Sequence, residues 1–170
     1  MYEHSDEKFV FVTAQKWPTM NLLEIAIADT GCGIANSMGK QYKNYDEKDL
    51  LYLAGEPGIS ARSNFSYLDK DDAWRNSGYG LYLLRRLSVA YEGSFLLCSG
   101  NYALYQNKDE VREYPTLYSG TAVGIRIRTD TNNDFVEIRN RILREGEKEA
   151  REIEGAIKKA SRSSGGHYSV

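Results

Sequence analysis

Three short stretches of the sequence hold residue types that could do chemistry. The first is Asp29-Thr30-Gly31-Cys32-Gly33-Ile34, which closes an apolar run. A carboxylate at the end of a buried strand can accept a hydrogen bond from a ligand amine. Glycines beside it let a flat ring approach the backbone. The competing reading is a plain turn opened by an Asp. The second is Asn76-Ser77-Gly78-Tyr79-Gly80-Leu81, at the start of a helical pattern. Small residues there expose backbone N–H groups, which together with the helix dipole attract an anion. Alternatively, Asn76 or Ser77 simply caps the helix. The third is Ser119-Gly120-Thr121, before an alternating run. Alone it is no more than a turn before a strand.

These stretches need elements to carry them. Residues 9–14 (FVFVTA) and 22–28 (LLEIAIA) read as strands, antiparallel because the link is short. Residues 46–54 (DEKDLLYLA) have an acidic first turn and an apolar stripe, which predicts a helix. Residues 55–76 are loop-like, a length that suits a functional lid better than a connector. Residues 79–91 have helical periodicity. Residues 94–98 and 102–105 read as a hairpin around Ser99-Gly100-Asn101, and residues 121–128 as a half-buried strand. From Asp134 a charged helix is expected to run to about residue 162. Its stripe is Ile142, Ala150, Ile153, Ala156, Ile157 and Ala160. Its packing on its own domain, or solvation, is favoured over a heptad partner. Strands and helices in this order predict an α+β, two-layer sandwich.

Together the stretches resemble the GHKL ATPase superfamily, the Bergerat fold of histidine-kinase catalytic domains and DNA gyrase. LEIAIADTGCGI resembles the first glycine box. NSGYGLYLLRRL resembles the second, with Asn76 and Tyr79 where Gly and Leu are commoner. YEGSFLLCSG resembles the helix-to-strand junction that follows, and SGTAVGIRI the Gly-Thr motif and closing strand. The resemblance spans residues 2–128. It implies a mixed, mostly antiparallel sheet with helices on one face and an ATP lid. It implies that Asp29 binds the adenine amine, that Gly31 and Gly33 flank the base and that Thr121 reaches it through water. It implies that the backbone of Ser77, Gly78, Tyr79, Gly80 and Leu81 holds the phosphates. Residues 55–76 would form the lid, where GISAR resembles a family segment and puts Arg62 near a phosphate.

The family's N box carries a Glu and then a magnesium-binding Asn. Tyr2-Glu3-His4-Ser5 resembles the end of that helix, which puts both residues upstream of Met1. The chain is therefore expected to lack its magnesium ligand and water-activating base, and to be weak or inactive alone. The resemblance still implies ATP as ligand, with Mg2+ in the intact parent. The expected function is ATP binding for phosphoryl transfer or hydrolysis in a histidine kinase-like ATPase. The alternative is a non-catalytic, nucleotide-responsive or protein-interaction module.

Residues 1–130 would be the ATPase domain, 131–162 a helix open to a protein partner, and 163–170 a flexible tail.

Other chemistries fit poorly. A dinucleotide fingerprint needs a strand before Gly78 and a third glycine at position 83, which is Leu. No Gly-Lys-Ser/Thr loop is present, and the two histidines and two cysteines lack zinc spacing. Net charge is −2, giving no basic field for nucleic acid. No apolar run reaches the ~20 residues of a membrane span; two cysteines, too few for a disulfide scaffold, lead to the expectation of a reduced, cytoplasmic environment. Of the tyrosines, Tyr42, Tyr45, Tyr52 and Tyr67 lie near enough to the lid for one to stack on a base. Arg85 and Arg86 read as a solvated face, and Cys32 as a small buried filler.

Overall fold

The structure is a computed structural model that describes residues 9–61, 77–161 and 164. The Met1 region with Glu3 and His4, the greater part of the proposed lid (62–76, with Arg62, Tyr67 and Asn76) and most of the tail lie outside the described residues.

The protein is α+β. Strands β1 (Val10–Trp17), β2 (Leu22–Asp29), β3 (Ser94–Gln106) and β4 (Val111–Arg128) form one sheet in the order β1-β2-β4-β3. All three pairings are antiparallel, so the described sheet contains no parallel pair. Short, branched and aromatic runs make β1 and β2. They are joined through a 3-10 turn at Pro18–Met20 that Asn21 closes with a left-handed φ of 52°.

Helices α1 (Gly33–Met38), α2 (Glu47–Ala54) and α3 (Gly80–Ala90) pack on one side of the sheet, and α4 (Phe135–Glu152) packs on α3. Alternation along the strands sets which side is covered. The cross-strand row Val12–Ile27–Val123–Leu97 shares one face. Leu97 is fully buried there, while Val12 is 68% and Ile27 42% exposed. The helices therefore cover the β3–β4 half of that face and leave the β1–β2 half open. Phe95, Leu97, Tyr79, Tyr82, Leu50, Leu51 and Ile142 make the shared core.

Several boundaries differ from those expected. The hairpin turn is not at Ser99-Gly100-Asn101. There, Gly100 (φ +64°) creates a bulge within one continuous strand, β3. The turn lies at 107–110, where the Asn107 side chain accepts hydrogen bonds from the N–H groups of Asp109 and Glu110. The polar run before Thr121 is strand as well. Pro115 is tolerated in it because β2 pairs only with residues 121–128 of β4, leaving one edge free there.

α1 is an additional helix beyond those the sequence predicts, starting inside the first motif with Gly33 at φ +77°. α4 stops at Glu152, ten residues before its expected end. Ile153 is extended, and the Lys158 ammonium donates to the carbonyls of Ala150 and Ile153 at 2.6 and 2.8 Å, capping the helix. Gly155, with φ +76°, helps turn the chain back, so Ile153, Ala156, Ile157 and Ala160 belong to a return segment.

Arg85 and Arg86 are not a solvated face. Arg85 pairs with Glu56 at 3.0 Å. Arg86 lies over the Tyr82 ring and pairs with Glu145 and Glu149, joining α3 to α4.

Candidate functional site

The strand register brings two of the three motifs together. Asp29, the last residue of β2, sits directly across from Thr121 of β4, and Thr121 sits across from Ser99 of β3. This row follows the one that ends in Leu97, two residues along, so it lies on the helix-bearing face. The Asp29 carboxylate is held by one of its oxygens. Oδ1 accepts from the Gly31 N–H at 2.7 Å and from the Thr121 N–H at 3.3 Å. Oδ2 has no hydrogen-bond partner among the described residues and remains open to a donor.

The loop around it has room for glycine and little else. A Cβ on Gly31 would stand 2.7 Å from Asp29 Oδ1. Gly33 has φ +77°, and a Cβ there would meet Ser119 O at 2.7 Å and Ser99 Oγ at 2.8 Å. A Cβ on Gly120 would run into the Asp29 carbonyl oxygen. Glycine in the first and third motifs thus lets the end of β2, the middle of β4 and the first turn of α1 touch through backbone.

Sequence reasoning missed two residues that hold this arrangement. The buried Ser99 hydroxyl accepts from the Ile34 N–H and donates to the Gly120 carbonyl, both at 2.9 Å. The Tyr118 hydroxyl donates to the Asp29 carbonyl at 2.7 Å. A polar residue in the buried alternation Phe95, Leu97, Ser99 was the available signal, and it was hidden by the assumed turn.

A cavity of about 190 Å³ opens beside this loop, lined in part by Gly31, Cys32, Gly33, Ser99, Ser119 and Glu47. That is below the ~300 Å³ at the lower end of ligand pockets, so it suits a fragment of a ligand, with the rest outside. Glu47 is fixed by the backbone N–H and side-chain amide of Asn101 at 2.8 and 2.7 Å. Cys32 is exposed on the rim, not a buried filler. Tyr42, Tyr45 and Tyr52 do not line this cavity. Tyr42 stacks edge-on with Tyr45, and the Tyr52 hydroxyl donates to Glu113.

The second motif forms the mouth of α3, on the same side of the sheet. Its helix begins without a side-chain cap: Tyr79 occupies the cap position, and Ser77 points its hydroxyl elsewhere. The N–H groups of Tyr79, Gly80 and Leu81 have no acceptor among the described residues. A Cβ on Gly80 would meet nothing within 4 Å, so this turn opens outward. Gly78 (φ +72°) is pressed against the Ile59 carbonyl, which fixes the approach to the helix. The cavity beside Asp29 does not reach this mouth, since none of residues 77–81 lines it.

Two larger hollows lie on or beside the opposite face of the sheet. One, of about 360 Å³, is floored by the Glu24–Arg126 ion pair and bordered by Leu96 and Tyr105. Among the described residues, no three His, Cys, Asp or Glu side chains cluster as a metal site, and no helix is long and apolar enough to cross a membrane.

Comparison with known protein families and with curated proteins finds no match for this chain.

Proposed function

We propose that the chain is a Bergerat-type ATP-binding domain of a histidine kinase-like ATPase. In this reading adenine sits at the Asp29 loop and the phosphates at the mouth of α3. The observation that carries the proposal is the state of Asp29: Oδ1 accepts from two backbone N–H groups, no described residue donates to Oδ2, and Gly31 and Gly33 just after it line a cavity that Asp29 itself does not line. A carboxylate so oriented accepts one N–H from the exocyclic amine of adenine. Guanine presents a carbonyl oxygen at the same place, and two acceptors facing each other repel.

The rest of the chemistry is positional. Gly31 and Gly33 keep the loop tight at the edge of the cavity, Thr121 lies across from Asp29 at the adenine end, and the N–H groups of Tyr79, Gly80 and Leu81, without an acceptor among the described residues, suit a phosphate in the field of the helix dipole. Catalysis in such a site is positioning together with electrostatics. Among the described residues no three His, Cys, Asp or Glu side chains gather at the α3 mouth to hold a magnesium ion. The reading as a nucleotide-responsive module, without turnover, draws on the same geometry and on the contacts over Ser77 described below.

Calorimetry with ATP and GTP on the wild type and on Asp29→Asn tests the proposal. ATP is expected to bind and GTP to bind at least tenfold more weakly. Asp29→Asn is expected to lower ATP affinity tenfold or more, the ~1.4 kcal/mol of a charged hydrogen bond. Equal ATP affinity in a correctly folded Asp29→Asn protein rules out this assignment.

A further inference from the structure

We propose that the segment after α4, residues 153–161, is a strap that competes with the nucleotide's phosphates for the mouth of α3. The inference rests on the ATP reading above and concerns how that site is regulated.

The strap is anchored on both sides of the mouth. Its Ile157 N–H donates to the Gly58 carbonyl at 2.8 Å. Its Ile157 carbonyl accepts from the Tyr79 hydroxyl at 3.1 Å. Gly58 has φ +78°, and a Cβ there would run into the Ile157 carbonyl, so strap and Gly58 touch backbone to backbone. Farther along, Ser161 Oγ accepts from the Ser77 hydroxyl at 3.2 Å. Ser77, which belongs to the motif assigned to phosphate, is only 6% exposed, and the Tyr79 ring is buried in the core with its hydroxyl turned to the strap.

The strap covers the approach to the mouth rather than filling it. Its carbonyl and hydroxyl meet the side-chain hydroxyls of Tyr79 and Ser77, while the backbone N–H groups of Tyr79, Gly80 and Leu81 keep no acceptor among the described residues. Neither Ile157 nor Ser161 brings a negative charge that would hold the strap there against an anion. A phosphate carries full charge and suits the N–H groups of Tyr79, Gly80 and Leu81, which have no acceptor among the described residues, but to use the Ser77 end of the motif it must displace the strap.

The strap is a short segment held by single hydrogen bonds and by Ile153, Ala156 and Ala160 on the core, with nearly half of its residues exposed. Ala156 is buried and the Ala160 N–H donates to Glu147 at 3.2 Å, while Glu154, Gly155, Lys158 and Lys159 are exposed. Local opening of such a segment costs far less than unfolding the domain. Phosphate binding and strap seating then oppose each other through one pair of states.

The test is a reversible cross-link in the full chain. Ser77→Cys/Ser161→Cys, in a Cys32→Ser/Cys98→Ala background, is oxidised with copper-phenanthroline and titrated with ATP and with adenosine. Oxidation is expected to weaken ATP binding at least tenfold, leave adenosine affinity within twofold, and be undone by dithiothreitol. Ile157→Pro, which removes the donor to Gly58, is expected to tighten ATP severalfold and serves if the cross-link does not form. ATP affinity that is the same oxidised and reduced, or not tightened in Ile157→Pro, overturns the strap and leaves the ATP site standing. Absence of ATP and adenosine binding in every form, reduced and wild type included, removes the site reading and the strap with it.

Discussion

Asp29 shows how much a single residue owes to its neighbours. Its type and its place at the end of an apolar run were legible in the sequence. Its orientation was not, because that depends on the Thr121 N–H from another strand and on the Gly31 N–H of its own loop. Ser99 was invisible for the same reason: its role exists only once β3 lies beside β4. The glycines of the site carry different weights, and a pair of substitutions separates them. Gly120→Ala forces a methyl into the Asp29 carbonyl and is expected to cost about 1–3 kcal/mol. Gly80→Ala points into open space at the first helical position and is expected to be neutral or to stabilise by about 0.5 kcal/mol. Urea unfolding of the two variants checks this, and similar losses for both would contradict the packing described.

At the scale of elements, local pattern located α2 and α3 well. Asp46 caps α2 by accepting from the Asp49 N–H, as the acidic first turn suggested. The end of α4 was not legible, because the three- and four-residue spacing of Ile153, Ala156, Ile157 and Ala160 continues past Glu152. Such spacing can also bury one side of a return segment, and what ends the helix is a lysine ammonium eight residues beyond Ala150.

The α3–α4 junction has its own pH signature. Tyr82 lies against Gly146 and donates to the Ile142 carbonyl, while Tyr79 donates to Ile157. Burial, with the nearby Glu147, pushes Tyr79 up to about 12. Burial pushes Tyr82 up further, against the pull of Arg86 and with help from Glu149 and Glu145. In the unfolded chain both ionise near pH 10. Above that the unfolded state holds fewer protons than the folded one, so stability falls as pH rises. The expected result is a urea midpoint little changed by these groups below pH 9 and falling from pH 10 to 12, with a shallower fall in Tyr79→Phe/Tyr82→Phe. An identical fall in that double variant would contradict the assignment.

At the scale of the whole molecule, the α+β class was legible in the sequence, while the expected mixed, mostly antiparallel sheet is fully antiparallel among the described residues. Outline came from periodicity, which is local. Strand order β1-β2-β4-β3, the bulge at Gly100 and the coverage of only half a face come from long-range pairing, which composition does not encode. The two ends of the proposed site share that covered side, yet the cavity beside Asp29 stops short of the α3 mouth. In the proposed ATP reading, one ligand spans both ends without a continuous cavity among the described residues. The most direct measurement is an amide NMR titration comparing adenosine with a non-hydrolysable ATP analogue. Adenosine is predicted to shift Gly31, Gly33 and Thr121 alone, and the ATP analogue to shift these and Tyr79, Gly80 and Leu81 with the same affinity. An ATP analogue that perturbs only one of the two groups, or neither, would contradict a single nucleotide bridging them.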